Sequence, residues 1–337
     1  MSNPALYTGA LKTVRPRKET KLSPRGEQAE RHYSIPESQQ DSARSWIEEG
    51  AEVVCNSKPA AIVIFVRDGS NGVETYMTYR YKSPMGRVAF PGGLAIYDDA
   101  NMQPWVGPSE TQWAEKFGEH NPKTARAAAT AAIREVFEET GLLLAGVDDT
   151  STVETLNTHE NMSSRVAIAS QSKDFNDFLS KRNLKLRADL LKPIARWQSP
   201  DYFHKRYDVH YFAAAVPVGQ KPTLLEGKGI WGQWLSAQEL LDHRATTELG
   251  DAIGQPDTVG KTLEELVNPG VLCVLESIAK APSAIAFLSK KRVIDLKKPE
   301  TKMAANGKCY LSFSEPGVQD ARSTRTFPAT AAVVPSE

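Results

Sequence analysis

The feature of the sequence that most constrains the fold is a long helix that ends in acidic residues. The stretch "TARAAATAAIREVFEETG" at 124–141 is rich in alanine, with Thr124 available to cap its start and Gly141 placed to end it. The run "AAIVIFV" at 60–66 is continuously apolar, far too short to cross a bilayer, and typical of a buried strand. A buried strand and a helix with one apolar face indicate a layered α/β fold.

The rest of the chain alternates between segments with the pattern of a strand and segments with the pattern of a helix. Strands are predicted at 60–66, 73–82, 190–199, 205–217 and 230–235. Helices are predicted at 37–53, 109–117, 124–141, 172–183, 236–244, 258–268 and 270–280. The alternation predicts a mixed α/β layer fold, and the irregular sequence at 94–123 reads as an insertion with one short helix.

Three carboxylates lie together at the end of the long helix. On a helical wheel, Glu135, Glu138 and Glu139 share about a third of the circumference, opposite an apolar face. Like charges at this spacing repel by about 0.2–0.5 kcal/mol per pair, and the helix dipole at a C-terminus favours cations instead. Stability alone does not explain the arrangement, whereas a hard divalent cation such as Mg²⁺ would hold these oxygens together.

The same residues resemble a known motif. "REVFEETGL" at 134–142 matches the helix half of the Nudix box, and "AFPGG" at 89–93 is similar to the glycines that open it. Arg134 follows Gly93 by 41 positions, far more than in the usual box, and Arg126 stands where the box has glutamate. The resemblance implies a Nudix-type α/β/α sandwich with a mixed sheet, an insertion within the box and extra C-terminal helices.

The split box is similar to that of a subgroup, the bacterial relatives of the animal peroxisomal coenzyme A diphosphatases. "MGRVAFPGG" at 85–93 matches part of a motif associated with coenzyme A cleavage, and "YMTYRYKS" at 76–83 matches its preceding part loosely. Later segments also resemble the subgroup, so that the similarity covers 58–245 and extends towards 285. Coenzyme A or an acyl derivative is therefore the lead candidate substrate.

The resemblance assigns roles to residues at both halves of the box. It implies that Glu135, Glu138, Glu139 and the backbone carbonyl of Gly92 bind Mg²⁺ or Mn²⁺. It implies that Arg134 orients a glutamate through charge-assisted hydrogen bonds, and Glu135 is the candidate general base. Arg134 and the three glutamates are thus the predicted catalytic residues.

Other residues have two readings each. Arg80, Gly92 and Gly93 are predicted to bind substrate, although an arginine at the end of a strand is also an ordinary surface residue. Relatives recruit one more acid from a late loop, where this chain has Lys228. Glu226 is the candidate replacement metal ligand, but it also fits a plain polar turn.

Two further groups of residues have structural explanations that we favour. Asp208 is expected to be a buried partner of Arg206 rather than a catalytic acid. Four tryptophans could stack on a base, but packing in the core or against the insertion explains them better. They are Trp105, Trp113, Trp231 and Trp234.

The sequence predicts four regions. Residues 1–57 form a mobile N-terminal segment with a leading helix, and 58–245 form the Nudix domain. Residues 246–299 form a C-terminal helical extension, and 300–337 form a flexible tail rich in Ser, Thr, Pro and Ala.

Composition limits the partners and the compartment. Lys plus Arg equals Asp plus Glu at 41 each, so no global charge points to nucleic acid or to a membrane surface. Three scattered cysteines and the lack of a signal-like N-terminus favour the cytoplasm. The expected partner is a small nucleoside diphosphate derivative, with no nucleic acid, no membrane and a possible homodimer.

The function predicted from the sequence is metal-dependent hydrolysis of a diphosphate linkage in such a derivative. A nucleotide sugar or a dinucleotide stays open as the substrate. A non-catalytic, ligand-binding Nudix-like protein is the alternative from another class, because Arg126 and Lys228 depart from the family pattern. An RNA-processing enzyme that uses the basic N-terminal arm is disfavoured, since the rest of the chain has no basic stripe with interleaved aromatic residues.

Overall fold

The computed structural model of the protein describes residues 28–52, 55–81, 83, 86–101, 104–154, 159–225 and 229–316. By its internal contacts the chain divides into two units. Residues 31–313 form the larger unit, and the described residues 28–30 and 314–316 belong to the other. The site considered below lies in the larger unit.

The longest described strand, with 12 residues, lies in the main sheet, and the others have eight residues or fewer. In chain order they are β1 (Gln28–Ser34), β2 (Lys58–Gly69), β3 (Gly72–Tyr79), β4 (Val88–Ala89), β5 (Gly92–Leu94), β6 (Trp105–Val106), β7 (Ala145–Gly146), β8 (Lys185–Arg187), β9 (Lys192–Gln198), β10 (Tyr207–Ala214), β11 (Gly232–Ser236), β12 (Leu296–Lys297), β13 (Glu300–Met303) and β14 (Cys309–Pro316).

The described helices include one of 19 residues, α3, which carries the acidic end. In chain order the helices are α1 (Glu37–Glu48), α2 (Glu110–Phe117), α3 (Pro122–Thr140), α4 (His159–Ala169), α5 (Phe175–Ser180), α6 (Ala237–Asp242), α7 (Glu248–Ile253), α8 (Leu263–Leu266), α9 (Pro269–Ala279) and α10 (Ala284–Ser289). Among them, none combines the length and the apolar content that crossing a bilayer requires.

The main sheet is mixed, with the strand order β11-β3-β2-β10-β9-β12. β2 runs parallel to β10 and antiparallel to β3. Its residues 60–62 also pair with β5, whereas residues 66–69 pair with β3. β2 therefore changes partner along its length, and the glycines of β5 enter the sheet at the first of these two pairings.

Apolar side chains cover both faces of the sheet. Ala61, Val63 and Phe65 of β2 pack in one cluster with the alanines of α3. Ile64 and Val66 point to the other cluster, which contains α9. Because β2 is buried on both sides, its sequence is continuously apolar instead of alternating. The prediction of an α/β/α arrangement with a mixed sheet is confirmed.

The C-terminal end of α3 agrees with the prediction from the sequence, and the N-terminal end does not. Gly141 ends the helix in the left-handed conformation, with φ of 72°, as predicted. The predicted cap Thr124 is wrong. The side chain of Asn121 caps the helix by accepting from the amide of Lys123 at 3.0 Å, and Pro122 takes the first helical position.

The insertion contains the predicted short helix, α2, which Ser109 caps. A 3₁₀ turn at Tyr97–Asn101 precedes it. Among the described helices, α4, α7 and α10 were not predicted.

The predictions for both ends of the described chain are partly wrong. Residues 28–34 form β1 instead of a mobile segment, and residues 300–316 contain β13 and β14 instead of a flexible tail. Cys309, Leu311 and Phe313 are buried on one face of β14, a period-two pattern that polar neighbours obscure in the sequence. The predicted leading helix is present as α1.

Candidate active site

The last two turns of α3 lie against the glycine turn, which we define as residues 90–93. Gly92 has a φ of 147°, a conformation that L-residues with side chains rarely adopt. A Cβ at this position would lie 2.2 Å from the carbonyl oxygen of Ala61 in β2. The close backbone approach of β5 to β2 therefore requires glycine here.

Two of the three predicted metal-binding glutamates contact this turn. The carboxylate of Glu139 accepts a hydrogen bond from the amide of Gly92 at 3.0 Å. The carboxylate of Glu135 lies beside Gly93, where an added Cβ would meet its Oε2 at 2.3 Å. The structure thus brings together residues that are more than 40 positions apart in the sequence, as the split box predicts.

Arg134 connects the other carboxylates. Its Nη1 donates to Glu135 and to Glu138, each at 2.8 Å. Its Nε and Nη2 donate to the two oxygens of Asp99 at 2.9 Å each, a bidentate pair. Burial alone would lower the pKa of Arg134, but the hydrogen bonds and charge of Asp99 outweigh it and raise the pKa above its ordinary value. Arg134 is therefore a permanent cation that fixes two of the glutamates.

Arg80 approaches the site from the end of β3. Its Nη2 donates to the carbonyl oxygen of Gly92 at 2.6 Å and to that of Phe90 at 3.2 Å. The same guanidinium lies 3.1 Å from the Glu139 carboxylate. A single cationic group therefore contacts both the carbonyl and the carboxylate that the motif assigns to metal binding.

Glu139 has an unusual electrostatic environment. Desolvation raises its pKa above the ordinary value for glutamate, and the neighbouring charges of Glu135 and Glu138 act in the same direction. Arg80 and the amide of Gly92 oppose the shift without cancelling it. Burial is thus the main reason for the raised pKa of Glu139, and repulsion from the other two glutamates adds to it.

The donor atoms suit a hard divalent cation. The possible metal ligands are carboxylate oxygens and one carbonyl oxygen, which are hard donors. The Gly92 carbonyl and the Glu139 carboxylate lie close enough together to contact one cationic group, the guanidinium of Arg80. Within the described residues, no group of three or more acid, histidine or cysteine side chains has the arrangement of a complete metal site. The reason is visible in the contacts, because Glu138 is turned towards Arg134 and Glu139 towards Arg80.

Arg165 of α4 contacts the backbone at the C-terminal end of α3. It is 1% exposed, and its Nε donates to the carbonyl oxygen of Glu138 at 3.0 Å. Its Nη2 donates to the carbonyl of Thr223, whose amide in turn donates to Thr140. Burial lowers the pKa of Arg165 to about 10, but the group remains a cation at neutral pH. It supplies the positive charge that a helix C-terminus favours.

A pocket of about 190 Å³ opens at the glycine turn, and we call it the glycine-turn pocket. Its walls come from β2, β5, β10 and the start of α9, and most of them are apolar. Arg80, Gly92 and Gly93, the predicted substrate-binding residues, all line it. The pocket thus adjoins the glycine turn and the guanidinium that contacts Glu139, while no carboxylate is among the described residues that line it.

The residues that depart from the usual box have other partners. The guanidinium of Arg126 lies 4.5 Å from the ring of Trp105 in the insertion. It therefore packs α3 against the insertion. Glu226 and Lys228 lie outside the described residues, so the prediction for Glu226 stays a prediction.

The predicted partner of Asp208 is wrong. Asp208 forms a bidentate pair with Arg196 at 2.9 and 2.6 Å, whereas Arg206 pairs with Asp201. Asp208 and Arg196 are diagonal neighbours on β10 and β9, where Asp208 is opposite Gln198 and Arg196 is opposite His210, so their pairing depends on strand register and not on closeness in sequence.

The tryptophans pack as expected. Trp113 is fully buried beside Phe117 and Phe212, and Trp231 is 9% exposed. Trp105 lies beneath Arg126, and Trp234 packs against Tyr76 of β3.

Two residues of the site were missed in the sequence. Asp99 is fully buried, and it follows the glycine turn by only a few positions in the insertion, so its position next to the box was the available signal. Arg165 lies in a helix that was not predicted, and nothing in its local sequence points to the acidic cluster.

Comparison with known proteins supports the fold. A Nudix hydrolase from Alicyclobacillus acidocaldarius superposes with a TM-score of 0.54 and 22% identity, covering 71% of this chain and 99% of that chain. A MutT mutator protein from Bacillus halodurans gives a TM-score of 0.31 and 10% identity, covering 77% and 99%. No protein-family model and no curated protein sequence matches the chain. The first comparison shows that the chain has the Nudix hydrolase fold, as predicted from the sequence.

Proposed function

We propose that this protein is a Nudix pyrophosphohydrolase that cleaves a diphosphate linkage in a nucleoside diphosphate derivative. One observation carries the proposal. The carboxylates of Glu135 and Glu139 meet the glycine turn, whose Gly92 and Gly93 line a pocket, in a chain with the Nudix fold and the helix half of the Nudix box. A solvated acidic surface would not need Gly92 or buried arginine partners.

The proposed metal ligands are Glu135, Glu138, Glu139 and the carbonyl oxygen of Gly92. The ion would be Mg²⁺ or Mn²⁺, because all of these donors are hard oxygen atoms. When bound, such an ion neutralises the charge of the diphosphate and activates a water molecule. Glu138 would have to turn away from Arg134 or bind through a water molecule, since its Oε1 accepts from that arginine.

The protein's own groups have separate tasks in this proposal. Arg134 keeps Glu135 and Glu138 in position and is itself held by Asp99. Oε2 of Glu135, which faces Gly93, would accept the proton of the attacking water. Arg80, which lines the pocket, would contact the phosphate oxygens through its guanidinium.

Coenzyme A or an acyl derivative is the lead candidate substrate, with a nucleotide sugar or a dinucleotide as the alternative. The support is the sequence motif at 85–93 together with the apolar walls of the glycine-turn pocket. We further propose a small-molecule partner and no nucleic acid, in line with the balanced charge. A homodimer and a cytoplasmic location stay predictions.

A second candidate is a ligand-binding protein without turnover. The position of Arg80 favours it, because its guanidinium contacts two of the oxygens that a metal ion would need. Arg126 no longer favours this alternative, since its stacking on Trp105 gives it a structural role.

Product analysis by mass spectrometry would separate the two. The purified protein is incubated with Mg²⁺ and with coenzyme A, ADP-ribose and diadenosine polyphosphates in parallel. We expect hydrolysis of at least one substrate, and Glu139→Gln to lower the rate by at least about 100-fold because a charged ligand is lost. Glu115→Gln on the exposed face of α2 is the matched control and should be unaffected. Unchanged turnover in Glu139→Gln would falsify the metal assignment, and no turnover of any substrate would favour the binding protein.

A further inference from the structure

A second, larger cavity adjoins the glycine-turn pocket. Its volume is about 310 Å³, and it lies between the start of α1, the start of α9, the end of β9 and the middle of β10. Several of its walls, among them Tyr33 and Leu311, belong to regions outside the Nudix segment at 58–245. We call it the outer cavity.

The two spaces are neighbours. Ser83, Tyr211 and Asn268 line both of them, so that the two spaces share part of their walls. The glycine-turn pocket alone, at about 190 Å³, is smaller than an ordinary small-molecule site of roughly 300–1,000 Å³. A whole substrate therefore needs additional space, and the outer cavity provides it beside the glycine-turn pocket.

Aromatic rings dominate the walls of the outer cavity. They come from Tyr33, Trp197, Tyr202, Phe203 and Tyr211. Rings of this kind bind apolar or planar groups through large contact areas.

The charged side chains of the outer cavity mostly neutralise each other. Arg87 pairs with Asp257 at 2.6 Å, and Lys261 pairs with Glu265 at 2.9 Å. Glu37 adds a further negative charge. An additional phosphate would find no excess of positive charge here, so the walls favour a neutral ligand.

We propose that the outer cavity binds the part of the substrate that lies beyond the diphosphate, and that this part is a neutral and largely apolar group. This inference rests on the proposed function, because that function places the diphosphate at the glycine turn and the rest of the substrate towards the outer cavity. It selects, among diphosphates, those whose second group is neutral and largely apolar over those that carry a sugar or further phosphates.

The test fills the outer cavity from its rim. Ser38 is exposed on the first turn of α1 and lines the cavity, so Ser38→Trp should occupy the space without disturbing the core. Ser42→Trp, one turn further along the same exposed helix, is the matched control. Hydrolysis is measured with coenzyme A, which has a neutral amide arm, and with ADP-ribose, which has a sugar. Calorimetric binding of coenzyme A is measured in parallel on the same three proteins.

We expect Ser38→Trp to lower kcat/KM for coenzyme A by at least about tenfold and to change kcat/KM for ADP-ribose by no more than about twofold. Ser42→Trp should change neither. Equal effects on both substrates, or no effect, would overturn the outer cavity as a substrate site and leave the proposed function intact. If no diphosphate is hydrolysed, the proposed function fails and calorimetry decides. Coenzyme A binding weakened by Ser38→Trp alone would then support the outer cavity, and absent or unaffected binding would overturn it.

Discussion

At the scale of single residues, arginines explain why three glutamates can lie together at the end of α3. Arg134 contacts Glu135 and Glu138, Arg80 contacts Glu139, and Arg165 contacts the backbone of the same turn. The repulsion that is evident in the sequence is therefore partly compensated within the protein. The compensation by Arg80 differs from the others, because its guanidinium contacts the two oxygens that the metal is proposed to bind.

Arg80 and the metal ion are consequently expected to compete. Arg80→Gln removes the cation from Gly92 and Glu139, so Mn²⁺ should bind about three- to tenfold more tightly, while kcat/KM falls because a phosphate contact is lost. Isothermal calorimetry with Mn²⁺ alone measures the first effect. Arg67→Gln, which removes another arginine–glutamate pair on the same sheet, is the control. Weaker Mn²⁺ binding in Arg80→Gln would contradict the competition.

At the scale of secondary-structure elements, the site depends on three elements that meet at one place. α3 presents the carboxylates, β5 presents the glycine turn, and β2 holds β5 against the sheet through Ala61 and Ile62. The insertion between the two halves of the box does not separate them in space. Its 3₁₀ turn instead returns Asp99 to Arg134, so that the insertion stabilises the acidic cluster.

The close approach of β5 to β2 can be measured by comparing two glycines. Gly72 has a φ of 96°, and a Cβ added to it would have no atom within 4 Å. In Gly72→Ala only the backbone conformation is therefore unfavourable, and the free energy of unfolding should fall by about 1–2 kcal/mol. Gly92→Ala adds a clash with the Ala61 carbonyl, and its free energy of unfolding should fall by at least about 2 kcal/mol more. Urea denaturation followed by circular dichroism provides both values. Equal losses would show that the β5–β2 contact is looser than described.

At the scale of the whole molecule, the chain segments outside 58–245 complete the large unit. Phe313 of β14 packs edge-on against Trp197 of β9 with a centroid distance of 5.0 Å, and it is buried. Tyr33 of β1 lies in the same apolar cluster. Sequence outside the resemblance to the Nudix box therefore forms part of the core and a wall of the outer cavity.

Phe313→Ala tests whether β14 belongs to the core. Because a buried aromatic side chain is removed, we expect the free energy of unfolding to fall by about 3–5 kcal/mol. Tyr310→Ala on the other face of the same strand should cost about 1 kcal/mol, since that side chain is only partly buried. Thermal unfolding of both variants gives the comparison. A loss for Phe313→Ala as small as that for Tyr310→Ala would support the flexible tail predicted from the sequence.

The sequence by itself determined the parts of this protein that short-range patterns encode. The apolar run of β2, the amphipathic helix α3 with its terminal Gly141, and the carboxylates that follow Arg134 were all readable, because their periodicity and spacing are local. The motif also placed Gly92 and Gly93 near the carboxylates across the insertion. Local patterns were less reliable at element ends, where Asn121 and not Thr124 caps α3.

Only the tertiary structure decided which distant groups became partners. The pairing of Asp208 with Arg196, the bidentate contact of Asp99 with Arg134, and the burial of Arg165 depend on strand register and on how the insertion and α4 pack. β1, β13, β14 and the outer cavity likewise depend on contacts between segments that are distant in the sequence. A charged residue gains its partner through burial and approach in space, and neither quantity is fixed by spacing along the chain.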